Sequence, residues 1–366
     1  MKKTIKTVIA MLMIFTFTFA LAACSQKGGS SSKKKGLKVV LLVPGNLGDK
    51  SYFDAANKGM KLIEKELNAT TKVIEMGGDK TKWQPAVQDA CGEDYDVIIS
   101  GGDATEILND AAKDNTDKKF INYDTTITET PENVYSMDYA TNELSFLSGS
   151  LAALVTSSNM PNVNKDKVIG FLGGMDIPGI NDFLVGYIQG AQYVDPSIKV
   201  NIAYAGDFAN PGKGKELGLL QYNSNVDISF NVAGGTGLGL LDAAKNTNKY
   251  AIGVDSDQAE MFKDSDKKKA EHIVTSATKK IDMALLRAVK KAKNGTLKYG
   301  KHEKLGFKEG GVGIAKNEFY NQLVPKNIQT KVQKIEDKLK NGEIKVNTAF
   351  GMKTSEISKI RNAVKP

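Results

Sequence analysis

Two carboxylates stand immediately after a buried-strand pattern in "KYAIGVDSDQAEMF", residues 249–262, where Tyr250 to Val254 lead into Asp255 and Asp257. Asp49, Asp103, Asp124 and Asp176 follow other apolar runs in the same way. Carboxylates so placed can do acid–base work, cap a helix, or accept hydrogen bonds from a ligand. Acid–base catalysis finds little support. His272 and His302 are the only histidines, no His/Cys/Asp cluster has metal-ligand spacing, and neither G-x-S-x-G nor a Walker A loop occurs. His272, in "AEHIVTSATKK", reads as a structural residue opening a strand. "GGTGLG", residues 234–239, lacks the G-x-G-x-x-G spacing and lies far from the first strand–helix turn, so it is no dinucleotide fingerprint. Its glycines still allow backbone amides to approach a ligand. No cofactor and no metal is expected, and the chain reads as a binding protein rather than an enzyme.

The elements that must position these groups are legible. Apolar runs ending in Gly, Asp or Asn recur at 37–51, 95–103, 119–126, 167–176 and 226–237, separated by helical periodicity such as Ala55, Met60, Ile63, Leu67 and Phe146, Leu147, Leu151, Leu154. This alternation predicts an α/β fold of parallel sheets covered on both faces. Open sheets of that kind bind ligands beyond the carboxyl ends of their strands, where the Asp and Gly residues lie. Asp103 and Asp176 read as helix caps, Asp124 and Asp255 as ligand groups.

Residues 1–23 combine Lys2, Lys3 and Lys6 with an apolar stretch and read as a signal peptide. "LAAC" predicts cleavage before Cys24 and acylation of its sulfur; residues 24–36 are a Gly/Ser/Lys-rich tether. The remaining 330 residues exceed what one core organises, so two lobes are expected. The net charge of +8 falls to +5 without the three signal lysines, and aromatics do not interleave with the basic residues, so no nucleic-acid partner is expected. Cys91, left alone after acylation of Cys24, forms no intrachain disulfide and reads as a core residue near Trp83, which reads as packed too.

"GDKSYFDAANKGM" (48–60), "GFLGGMDIPGINDFLVGYIQGA" (170–191), "FNVAGGTGLGLLDAAK" (230–245), "IGVDSDQ" (252–258) and "VTSATKKIDMA" (274–284) resemble, in order and spacing, the motifs of the basic membrane protein family of purine-nucleoside-receptor-like lipoproteins. The resemblance runs from about residue 37 to about residue 350. It implies two Rossmann-like lobes of the type I periplasmic-binding-protein fold, joined by three crossovers and closing on a nucleoside. The first lobe would be 37–138 plus 277–295, and the second 139–276 plus 296–366. It also implies a monomer held by its lipid at the outer face of the cell membrane, delivering ligand to an ABC permease and its ATPase.

A purine needs flat apolar faces, for which Tyr52 is the first candidate and Phe183 or Phe230 the second, core packing being the competing reading of both phenylalanines. A ribose diol suits the Asp255 carboxylate with Lys279 beside it; Lys280 is the solvated neighbour. Asp124 and Asp49 are candidates for base N–H groups or other sugar positions, with the amides of Gly234 and Gly235 assisting. Family members often read "DKSFND" where this chain has "DKSYFD", so Phe53 replaces a polar contact and Asp54 is its substitute candidate. A sugar-binding protein of the same fold, and a surface enzyme acting on nucleosides, are the alternative readings.

Overall fold

A computed structural model describes residues 36–366; the signal peptide, Cys24 and the tether before Gly36 lie outside the described residues. The chain forms two six-stranded sheets. The first comprises β1 (Lys38–Val43), β2 (Thr70–Glu75), β3 (Val97–Gly101), β4 (Phe120–Tyr123), β5 (Val134–Tyr139) and β11 (Lys301–Leu305), in the order β11-β5-β4-β3-β1-β2. The second comprises β6 (Val168–Gly173), β7 (Lys199–Tyr204), β8 (Val226–Val232), β9 (Tyr250–Asp255), β10 (Ile273–Lys279) and β12 (Val312–Ile314), in the order β12-β10-β9-β8-β6-β7. Only β12 pairs antiparallel. Central strands such as β1, "KVVLLV", and β8, "VDISFNV", are buried along almost their whole length, because helices cover both faces. Each sheet reverses direction of strand order between its first and third strands, β1/β3 and β6/β8, which opens a crevice at the carboxyl edge.

The helices that frame this edge are α1 (Tyr52–Leu67), α2 (Trp83–Gly92), α3 (Thr105–Asp114), α4 (Thr141–Thr156), α5 (Pro178–Val194), α6 (Pro211–Asn223), α7 (Gly237–Thr247), α8 (Gln258–Phe262), α9 (Lys267–Ala270), α10 (Ile281–Lys293), α11 (Glu318–Leu323), α12 (Lys326–Lys340) and α13 (Thr354–Ala363). α4, "TNELSFLSGSLAALVT", is buried on nearly all sides and packs backbone to backbone on α5. A Cβ at Gly149 would stand 2.0 Å from the Tyr187 carbonyl oxygen, and one at Gly190 2.0 Å from that of Phe146, so no other residue fits there. Cys91 and Trp83 are buried, and the Trp83 indole donates to the Gly77 carbonyl at 2.8 Å.

The chain passes between the sheets three times: from β5 into α4, from β10 into α10, and from β11 to β12. α10 returns to the first sheet's side, where Gly59 of α1 admits the Asp282 backbone; a Cβ there would lie 3.1 Å from its Cα. Residues 277–279, grouped with the first lobe on sequence, complete β10 of the second sheet, and Lys301–Leu305, grouped with the second lobe, pairs with β5 in the first. β11 reads "KHEKL": a half-exposed edge strand carries no apolar run to betray its sheet.

Candidate functional site

The loop 48–51 that enters α1 is held by carboxylates. Asp49 accepts from the backbone N–H groups of Ser51, Phe53 and Asp54 at 3.0, 2.9 and 3.1 Å, the role of a helix cap. Asp54 accepts from Gly48 N–H at 2.9 Å and Lys50 N–H at 2.8 Å. Both its oxygens are thus engaged by the loop. Phe53 packs over Gly45 and stands edge-on to Tyr52, ring centroids 5.2 Å apart.

Across from this loop, the second sheet ends at Asp255. Its carboxylate accepts the Ser51 hydroxyl of the first sheet's side. Ser256 Oγ donates to the Ser51 carbonyl at 3.1 Å and Gln258 Nε2 to the Lys50 carbonyl at 3.1 Å. Gln258 is fully buried, its Oε1 accepting from Val254 N–H at 3.1 Å, so it reaches across from a rigid base. Gly235 also approaches: a Cβ there would lie 3.9 Å from that of Asp49. Gly234 needs its positive φ of 53° to make the turn into that approach.

Lys279, the last residue of β10, joins the two sides. Its Nζ lies 2.8 Å from Asp124 Oδ2, which follows β4 of the first sheet, and 3.6 Å from Asp255 Oδ1. The ammonium also faces the rings of Tyr52, Phe183 and Tyr139 at 5.1, 5.6 and 5.8 Å. Lys279 is 8 % exposed and Asp255 7 %, so this is a nearly dry ion cluster in an aromatic surround. Burial opposes the Lys279 charge, but Asp124 and Asp255 outweigh it and hold the ammonium above its ordinary range. Burial pushes the Asp255 carboxyl up, with Lys279 and Ser51 pulling the other way. Asp124 and Asp255 adopt left-handed backbone, φ 58° and 61°, as does Lys50 at 49°. Such conformations in non-glycine residues cost energy and gather where geometry is functional.

Tyr52, Asp124, Phe183, Asp255 and Lys279 therefore converge, with Asp49 and Gly235 beside them. Phe230 does not join them: it is fully buried in the middle of β8, packed against Phe171, Phe183 and Tyr187, because a central strand of a covered sheet turns its side chains into the helix layers. Asp103 and Asp176 are not caps; Asp103 pairs with Lys80 at 2.9 Å and Asp176 takes both prongs of Arg361, at 2.9 and 2.7 Å. Sequence reasoning missed Ser51, Ser256, Gln258, Tyr123 and Tyr139. Ser51, Tyr123 and Ser256 directly adjoin Tyr52, Asp124 and Asp255, and that adjacency was the available sign.

The histidines stand apart. His272 bonds the Lys249 carbonyl at 2.8 Å. His302 bridges Ser136 at 2.9 Å and Asp138 at 3.1 Å, a bonding order like that of a hydrolase triad. Ser136 is 1 % exposed and also meets the Thr130 hydroxyl at 3.0 Å, so the group staples β11 to β5 and meets no substrate. Among the described residues no cluster of three or more His, Cys, Asp or Glu is placed to hold a metal, and no helix is long and apolar enough to cross a membrane.

One pH effect follows from the geometry. Burial, with the nearby Asp255 charge, raises the Asp49 carboxyl to about 6 against the pull of its three backbone donors. A raised carboxyl pKa favours the folded form most below the unfolded value, and that contribution fades as pH rises through about 6. Melting curves between pH 4 and pH 7 should show this loss, and Asp49→Asn, which keeps a capping oxygen, should flatten it; an unchanged profile would remove Asp49 from the charge balance.

Two doubly wound sheets with polar and aromatic groups gathered between their carboxyl edges share the fold of solute-binding proteins of ABC transporters. The chain belongs to the Bmp family of PnrA-like ABC transporter substrate-binding proteins, which matches residues 37–349. Basic membrane protein D of Borreliella burgdorferi (strain JD1) is 30% identical over 340 residues, covering 90% of this chain and 92% of that one. The ABC transporter nucleoside-binding protein BmpA of Lactococcus lactis is 28% identical over 355 residues, covering 93% and 99%. Among solved structures, a solute-binding protein of an ABC transporter system from Aeropyrum pernix K1 superposes with a TM-score of 0.78 at 22% identity, over 89% of this chain and 98% of that one. The family is one of ABC transporter substrate-binding proteins, not of enzymes.

Proposed function

We propose that this protein is the lipid-anchored, extracytoplasmic subunit of an ABC importer and that its ligand is a nucleoside, with a purine base favoured. The single observation carrying this is the meeting of Asp124 and Asp255, from facing sheets, on the Lys279 ammonium beside Tyr52 and Phe183. Paired carboxylate and ammonium suit a ribose diol, and the rings suit a base, each stacked face being worth ~1–3 kcal/mol. The name of the Lactococcus relative supports the same ligand class. In this reading one lobe holds residues 37–139 with α10 and β11, the other holds the remainder, and the three crossovers are the hinge. A micromolar dissociation constant requires only about 8 kcal/mol net, within reach of two faces and a few buried hydrogen bonds.

Isothermal titration with inosine, guanosine, adenosine, cytidine and ribose, joined to mass spectrometry of any co-purified molecule, tests the reading. Saturable binding of nucleosides without turnover is expected. Binding of ribose or another free sugar alone would transfer the protein to sugar transport, and steady release of base would make it an enzyme. Mass spectrometry of the membrane-extracted protein tests acylation at Cys24; an unmodified Cys24 would remove the anchor.

A further inference from the structure

The first-lobe wall of the site contains three phenols that the ion cluster does not use. The hydroxyls of Tyr52, Tyr123 and Tyr139 are buried; that of Tyr52 lies close enough to turn its proton to Tyr123, and those of Tyr123 and Tyr139 have no acceptor of their own. Tyr123 and Tyr139 are 0 % and 2 % exposed. The Tyr52 and Tyr123 rings stack with centroids 5.4 Å apart, and all three residues lie within the field of Asp124. Tyr187 and Tyr320 also bury unbonded hydroxyls, but singly and away from this cluster. A buried hydroxyl whose proton has no acceptor costs about 1–3 kcal/mol, so two gathered beside a ligand site point to the ligand. Of the carboxylates nearby, Asp124 Oδ2 takes Lys279, and Asp255 takes Ser51 and faces Lys279; neither takes a phenol proton. The Tyr123 and Tyr139 protons are therefore free for acceptors of a bound molecule.

We infer that the Tyr123 and Tyr139 hydroxyls, with the Tyr52 ring on the base and its own hydroxyl turned to Tyr123, form a wall of donors that reads an acceptor edge of the base and selects a 6-oxopurine nucleoside over its 6-amino counterpart. The inference rests on the nucleoside reading above. A 6-oxo group and N7 present adjacent lone pairs that take the two donated protons. A 6-amino group supplies donors instead, and phenol oxygens that accept them leave their own protons unplaced. Burial raises the phenol pKa values of all three residues, so each keeps its proton.

The test is calorimetric titration of inosine, guanosine, adenosine and purine riboside into the wild type and into Tyr52→Phe, Tyr123→Phe and Tyr139→Phe. Inosine and guanosine should bind the wild type roughly tenfold or more tightly than adenosine, and each Phe variant should weaken inosine about three- to tenfold while narrowing the ratio. Should a variant not fold, purine riboside on the wild type gives the same answer by binding like adenosine. Variants that keep the wild-type affinities and ratio would overturn the inference alone, showing phenols merely trapped by packing. A wild type that binds no nucleoside would overturn the proposed function first.

Discussion

Lys279→Ala should weaken nucleoside binding by roughly 30-fold to several-thousand-fold, the span measured when one member of a buried charge pair is truncated. The ammonium is the only link between Asp124 and Asp255 that the ion-pair geometry shows, bonded to Asp124 at 2.8 Å and paired with the buried Asp255 at 3.6 Å. Without it, closure brings two carboxylates together with no cation between them. Opening lets water reach them instead, so the cost falls on the closed form rather than on folding. The ligand-free melting temperature should change little, while small-angle scattering should show a larger radius of gyration with ligand present than the wild type has. Asp255→Ala should act in the same direction but less, since Lys279 keeps Asp124 at 2.8 Å. Wild-type affinity in both variants would remove the cluster from the pocket.

Asp182→Ala should act on folding instead. Asp182 of α5 is fully buried, and its carboxylate accepts from Thr141 Oγ1 and Thr348 Oγ1, from Asn142 N–H at 3.0 Å and from Ala349 N–H at 2.9 Å. It thereby fastens the start of α4, just past the first crossover, to the C-terminal segment. Truncation leaves two buried backbone N–H groups unpaired at about 1–3 kcal/mol each, in addition to the lost charge-assisted bonds. Thermal unfolding should shift down by roughly 5–15 °C, with ligand affinity of the surviving folded fraction nearly unchanged. A melting temperature within about a degree of wild type would show that this junction is held elsewhere.

Much of the architecture could be read along the chain. The apolar runs at 37–51, 95–103, 119–126, 167–176 and 226–237 are β1, β3, β4, β6 and β8, each buried between helix layers and so continuously apolar. The edge strands escaped notice. β2 reads "TTKVIE" with alternating exposure, and β7 and β11 are half exposed, so their pairing leaves no hydrophobic signature. Phe183 and Phe230 look alike in sequence, yet one ring faces the Lys279 ammonium at 5.6 Å and the other is enclosed by Phe171 and Tyr187. Which face of a covered element looks toward the second lobe is not written in its own periodicity.

From its sequence alone, then, this protein was bound to place acidic and glycine residues at the carboxyl ends of parallel strands, because strand length, apolar content and turn chemistry are local properties. Only the tertiary structure decided which of those residues meet. Lys279 and Asp124 are 155 positions apart, and Ser51 and Asp255 204 apart. Contacts at such separations depend on how two sheets and three crossovers pack, and no local pattern carries that information. The same long-range packing gave Asp176 to Arg361 and gathered three tyrosines around one carboxylate.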